Sequence, residues 1–177
     1  MPSLLIIYPI RGQIAWHSFF SLYVITIVHF KMSIMEIKRN DATLNRPDGD
    51  RVLDGNYVFV DIPSYVRQLK EEKAWEKNDR NGITVFKSDH ITMVITALQR
   101  DAEIVNNSVD GFLTLQLLKA SGKLTTPDGE IDITEHQMMT FHPKIPHSLQ
   151  ASSDVILLIT TFNFKFNENT RSVDHAI

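Results

Sequence analysis

From Ile83 to Phe164 the chain is a succession of short runs rich in β-branched and aromatic residues, with no helical stretch between them. The runs are Ile83 to Phe86, Ile91 to Leu98, Phe112 to Leu118, Lys123 to Thr126, Glu130 to Thr134, Met138 to Phe141, Ser148 to Ala151 and Val155 to Phe164. Residues of this kind suit a pleated, half-buried surface. Turn chemistry separates several runs. Thr126-Pro127-Asp128-Gly129 has the proline and glycine of a tight hairpin, His142 to Pro146 is a proline-bounded corner, and Ser152-Ser153-Asp154 is another turn. A parallel sheet needs crossover helices, and none fits between these runs. The body of the chain is therefore an all-β sandwich or barrel.

Ahead of the strands the pattern differs. Residues 40 to 56 are dense in Asn, Asp, Gly and Pro and read as an irregular arm, and Tyr57 to Val60 reads as a short strand. Asp61 then offers a cap, Pro63 suits a first helical turn, and Tyr65 to Lys77 reads as a short helix. The boundaries that follow are an apolar N-terminal extension at 1–35, an arm and short helix at 36–82, the barrel at 83–166 and a polar tail at 167–177. Within the first stretch, residues 14–30 are apolar and aromatic, with only His17 and His29 as titratable groups. Three readings stay open for it. It is short for a membrane span, which needs roughly 20 apolar residues. It has the positive start of a secretory signal but lacks a small-residue cleavage site. It also reads as an extension that the fold does not need, with Met32 or Met35 as the start of the folded sequence.

Composition excludes several function classes. There is no cysteine, which rules out disulfides, thiolate nucleophiles and Cys-ligated zinc. A net charge of -3 with scattered basic residues gives no electrostatic footprint for nucleic acid. The densest run, Lys70 to Lys77, interleaves lysine with glutamate as a solvated helix face does. No glycine-rich phosphate loop is present. The chain reads as cytoplasmic, the alternative being a membrane-anchored or exported protein whose only membrane contact is residues 14–30.

Two segments carry a family resemblance. They are Gly111-Phe112-Leu113-Thr114-Leu115-Gln116-Leu117-Leu118 with Gly122, and Met138-Met139-Thr140-Phe141-His142-Pro143-Lys144-Ile145-Pro146-His147-Ser148. Together they resemble the two-motif core of the cupin superfamily, over roughly residues 80 to 164. The resemblance implies a double-sheet jelly-roll barrel with a short N-terminal helix and a pocket inside the barrel. It further implies a divalent metal held by two histidines and a glutamate from the first motif and one histidine from the second. Carried over, the second-motif histidine is His147. The first-motif histidines fall near Asn107 and Val109, and the glutamate near Leu113 or Leu115. Asparagine is a weak oxygen donor, and valine and leucine offer no donor. The glycine that usually opens the second motif falls at His136, which puts the tightness of that turn in question.

Read as chemistry, His136, His142 and His147 lie close in sequence, and a metal site needs three or four converging donors. His142 and His147 are the metal candidates, but a corner with two prolines separates them. Ser148 follows His147 on the opposite face of its strand, so the two are no nucleophile pair. In a barrel of this type His147 points inward, and the expected pocket residues are His147, Gln116, Met93 and Asn107. The alternation along Phe112 to Leu118 leaves open whether Gln116 and Thr114 or Leu115 and Leu117 face the pocket. The leading expectation is a module that binds a small organic molecule, with a degenerate metal site and no cofactor. The alternatives are a metal-dependent enzyme of isomerase or dioxygenase type using His147, and a structural dimerisation module. A homodimer is expected from exposed strand edges.

Overall fold

The computed structural model describes residues 36–163. The N-terminal extension, with its candidate anchor at 14–30, and the tail at 167–177 lie outside the described residues. Two short strands come first, β1 (Lys38–Asn40) and β2 (Arg51–Asp54), paired antiparallel as a separate two-stranded sheet. Helices α1 (Ile62–Glu71) and α2 (Lys73–Lys77) follow. Nine strands complete the body: β3 (Arg80–Lys87), β4 (Ile91–Leu98), β5 (Glu103–Asn107), β6 (Phe112–Lys119), β7 (Ser121–Thr126), β8 (Gly129–Thr134), β9 (Met138–Phe141), β10 (His147–Ala151) and β11 (Val155–Phe162). They form two facing antiparallel sheets, ordered β3-β4-β11-β6-β9 and β5-β10-β7-β8. This is the expected all-β jelly roll with a short helix ahead of it.

The first helix starts where its sequence says it should. The Asp61 carboxylate accepts a hydrogen bond from the Ser64 amide at 3.1 Å, with a proline in the first turn of α1. The helix expected over Tyr65–Lys77 is two pieces, because Glu72 leaves helical geometry at φ -72, ψ 142. Tyr57 to Val60, read as a short strand, joins no ladder. The β5 strand was not legible in sequence: Glu-Ile-Val-Asn-Asn is mostly polar, and it forms because β10 supplies a partner. The turn at His136 survives without glycine. His136 takes φ 68, a strained but accessible state for histidine, and its amide donates to the Leu117 carbonyl at 2.8 Å.

The larger sheet separates two cores. Its inner face contributes Leu98, Leu113, Leu115, Leu117, Val155 and Leu157, packed on Leu124, Ile133, Leu149 and Ala151 from the smaller sheet. Its outer face contributes Ile83, Val85, Ile95, Ala97 and Ile156, covered by Leu69 of α1. Leu69 has no exposed surface, and its burial stabilises the helix on the sheet by about 2 kcal/mol. Gly111 is held where β6 meets the end of β11. A Cβ there would run into the Phe162 carbonyl group, 2.8 Å from its carbon.

The junction of arm, helices and β3 is polar. Glu72 accepts two bonds from Arg46, at 2.7 and 2.8 Å, one from Asn81 at 2.8 Å and one from Gln68 at 3.1 Å. Its side chain is only 10% exposed. Burial alone would raise the Glu72 carboxyl, but the hydrogen bonds from Arg46, Asn81 and Gln68 and the charge of Arg46 outweigh it and hold it below the ordinary glutamate range. A lowered carboxylate stabilises the fold fully above its unfolded value, and that contribution disappears as pH falls through the native one.

Two outcomes follow for equilibrium denaturation. Gly111→Ala destabilises by at least about 2 kcal/mol, since backbone must move to admit the methyl group. Glu72→Gln costs about 1–3 kcal/mol at neutral pH and flattens the acid limb of the stability profile below pH ~4.5. An unchanged acid limb in the variant would show that the pair contributes no linked stability.

Candidate functional site

Residues paired across a sheet share a face, so the registers of the larger sheet sort its side chains into rows. On the inner face one row is Thr92, Thr161, Leu113 and Phe141. The next is Val94, Ile159, Leu115 and Met139, then Thr96, Leu157 and Leu117, and last Leu98 with Val155. Burial is graded along these rows. The deep residues Leu98, Val155, Leu157 and Leu117 have no exposed surface, whereas Thr92, Thr161, Val94, Ile159 and Met139 are half-buried. Burial is complete in the Leu98–Val155 row and less so toward Thr92 and Thr161, although Leu113, Leu115 and Phe141 stay buried.

His147 sits at the level of Phe141. It opens β10 directly after the proline corner, in which Lys144 adopts φ 64 and its amide donates to the Val109 carbonyl at 2.7 Å. The ring lies stacked on Phe141, with centroids 4.2 Å apart and planes 16° apart, and it is 3% exposed. Its Nδ1 is 3.2 Å from the Ile145 carbonyl oxygen, and its Nε2 is 3.2 Å from Asn107 Nδ2. A carbonyl only accepts, so Nδ1 carries the proton and donates. Nε2 then presents its lone pair to the Asn107 amide, which donates. Both ring nitrogens are thus engaged.

A β-bulge aims Asn107 at the histidine. His147 pairs with Asn107 but Leu149 pairs with Ile104, so Val105 and Asn106 stand opposite Ser148 alone. Asn106 takes φ 48, and its amide donates to Ser148 Oγ at 2.9 Å. The bulge turns Ile104 and Asn107, three residues apart, to the same inner face and leaves Val105 outside at 68% exposed.

Of the four residues expected to line the pocket, the structure brings His147 and Asn107 together and places Gln116 and Met93 elsewhere. Gln116 is paired with Leu158, which is paired with Ile95 under the helix, and Met93 packs in that same outer cluster. The inner-face residues in register with Phe141, on which His147 stacks, are Leu113, Thr161 and Thr92, not Met93 or Gln116. The reason is the pleat: Leu113, Leu115 and Leu117 take the inner face of β6, and every alternate residue goes outside. Sequence reasoning missed Thr92, Val94, Ile159 and Thr161, because β4 and β11 are apolar on both faces and carry no alternation to read.

The positions that resemblance assigns to metal ligands do converge on the inner face. Asn107 meets His147, Val109 packs on the interior cluster, and Leu113 and Leu115 are each 1% exposed within it. Their chemistry does not fit a divalent metal: one amide and three hydrocarbons replace the anionic and imidazole donors. His142 is exposed and tilted over Phe112 at 5.0 Å, away from His147, and His90 and His136 are also exposed. Among the described residues no three His, Asp or Glu side chains are grouped to hold an ion. Gly122, the first-motif glycine, lets β7 approach β10, since a Cβ would lie 2.8 Å from the Gln150 carbonyl oxygen.

A second concavity, which the sequence did not signal, lies between the arm and the helices. It has a volume of about 560 Å³ and is lined by Leu44, Pro47 and Asp48 on one side and Gln68, Glu71 and Lys73 on the other.

In solution the His147 ring should show ¹⁵N shifts of the Nδ1-H tautomer. Asn107→Ala should cost about 1–2 kcal/mol, because it leaves a buried nitrogen without a partner. A ring averaging between tautomers would refute the assignment.

No family model matches the sequence, and no curated protein sequence matches it. Solved structures do match. A cupin superfamily protein from Desulfitobacterium hafniense aligns with TM-score 0.52 at 12% identity, covering 72% of this chain and 99% of that one. A conserved protein of unknown function from Streptococcus pyogenes aligns with TM-score 0.50 at 15% identity, covering 71% and 97%. Likeness at this identity concerns the fold alone. Among the described residues no helix is long and apolar enough to cross a membrane. The chain has the jelly-roll barrel fold of that cupin superfamily protein.

Proposed function

We propose that this chain is a binding module that takes a small, neutral, mostly apolar organic molecule into the accessible end of its barrel. The observation that carries this reading is the His147–Asn107 pair, its imidazole stacked on Phe141, in whose row stand the half-buried Thr92 and Thr161. Apolar walls with a few placed polar groups are the usual make-up of a small-molecule site. The residues named here include no charged side chain, so an ionic ligand would lose its hydration without a partner. A ligand hydroxyl or carbonyl fits instead. It can exchange with the hydrogen bond between Asn107 and His147 Nε2, and the two threonine hydroxyls stand in the same row as Phe141. The metal-dependent alternative asks for donors that Asn107, Val109, Leu113 and Leu115 do not supply.

The test is purification without chelator or affinity metal, followed by elemental analysis and solvent extraction with mass spectrometry. Alongside it, phenol and benzoate are titrated against the protein while His147 and Asn107 resonances are followed. Substoichiometric metal, with phenol shifting those resonances and benzoate leaving them in place, is the expected result. Near-stoichiometric metal that His147→Ala abolishes would overturn it in favour of an enzyme.

A further inference from the structure

The sequence holds a single Asn-Gly step, Asn81-Gly82, in β3. Asparagine followed by glycine is the pair in which the next backbone nitrogen most easily reaches the side-chain carbonyl carbon, because glycine has no Cβ to obstruct ring closure. The two halves of this step are held differently. Gly82 is exposed on β3, the edge strand of the larger sheet, whereas Asn81 is 7% exposed. The Asn81 amide is pinned at both ends. Its Nδ2 donates to the Leu69 carbonyl at 2.9 Å and to Glu72 Oε2 at 2.8 Å, and its Oδ1 accepts from Arg46 at 3.2 Å. Arg46 also donates to the Gly82 carbonyl at 3.0 Å. One arginine therefore grips the side chain of Asn81 and the backbone of Gly82 together.

That arginine belongs to the arm at residues 36–54. Strands β1 and β2 pair only with each other, and no ladder joins them to either main sheet. Besides Arg46, the arm is held where Arg51 Nε donates to the Thr84 carbonyl at 2.6 Å, where Gln68 donates to the Asp48 carbonyl at 3.2 Å and by the buried Leu53. A segment held by side chains opens at lower cost than a strand inside a sheet.

We propose that Asn81-Gly82 is a deamidation site that the arm keeps closed, and that its reaction releases the arm permanently. While the amide is pinned in the extended strand, Asn81 Cγ is turned away from the Gly82 nitrogen. Once the junction opens, that nitrogen attacks Cγ. The new C–N bond replaces the bond from Cγ to Nδ2, and the nitrogen's proton passes through water to the departing ammonia. Water then opens the cyclic imide, giving aspartate at one carbonyl or isoaspartate at the other. Water is the one co-reactant. The product cannot rebuild the junction. A carboxylate stands where an amide donated to Glu72, and the Leu69 carbonyl loses its donor. Isoaspartate also lengthens the backbone by one carbon at the position paired with Ala97. The step thus records how long the arm has spent open, independently of what the barrel binds.

Wild type and Arg46→Ala are aged side by side in mildly alkaline buffer, with and without urea, and their tryptic peptides are weighed for conversion at Asn81. Native wild type should be slowest, native Arg46→Ala at least about tenfold faster, and the unfolded chain fastest. Equal rates in the two native proteins, or a native wild type as fast as the unfolded chain, would overturn the gating. Because Arg46→Ala can fail to fold, wild type alone is also aged in rising urea below its unfolding transition. Conversion that climbs there supports opening of the junction, and conversion that waits for global unfolding refutes it. Release is read by brief trypsin treatment of Asn81→Asp. Cleavage after Arg51 should quicken at least about tenfold while cleavage after Lys123 in β7 stays at the wild-type rate. Unchanged cleavage after Arg51, or an equal rise after Lys123, sinks the release.

Discussion

Strand β11 is the constraint on which the rest of the molecule depends. It lies at the centre of the larger sheet and is paired along its length to β4 on one side and β6 on the other. Because side chains alternate across a strand, its register sends Val155, Leu157 and Ile159 into the barrel and Ile156 and Leu158 out to the helix. A slip of one residue would exchange the two cores at once. The covered outer face, the filled inner face and the row that includes Phe141 all inherit their positions from this strand.

The candidate site sits where that order is locally broken. A bulge in β5, a left-handed Asn106 and a left-handed Lys144 in the proline corner converge on the His147–Asn107 pair. Each departs from regular geometry at some energetic cost, and the packed leucines behind them supply the stability that lets them persist. The result is a buried histidine with both ring nitrogens engaged, stacked on Phe141. The site presents hydrogen-bonding groups and hydrocarbon.

The polar junction at Glu72 serves a different end. A mostly buried carboxylate is tolerable only because Arg46, Asn81 and Gln68 all donate to it. The network breaks the helix into α1 and α2, seats the arm and covers the β3 edge. An apolar contact of similar size could hold the arm as firmly, but it would not specify where the arm lies.

The sequence alone determined the all-β class, the helix start at Asp61 and the proline corner that opens β10. These follow from local chemistry: β-branched runs, a capping carboxylate and fixed proline geometry act over a few residues, wherever the chain goes next. It also placed His147 inside and Asn107 near it, through motif resemblance. It could not decide which face of β6 looks inward, because leucines and polar residues both fit a wall, and so Gln116 and Met93 were placed inside when they belong outside. It did not show β5, whose polar residues become a strand only against β10. Nor did it show the Arg46–Glu72 latch, whose partners are 26 residues apart. Facing, bulge position and long-range pairing are properties of neighbours brought together by folding, and only the tertiary structure supplies those neighbours.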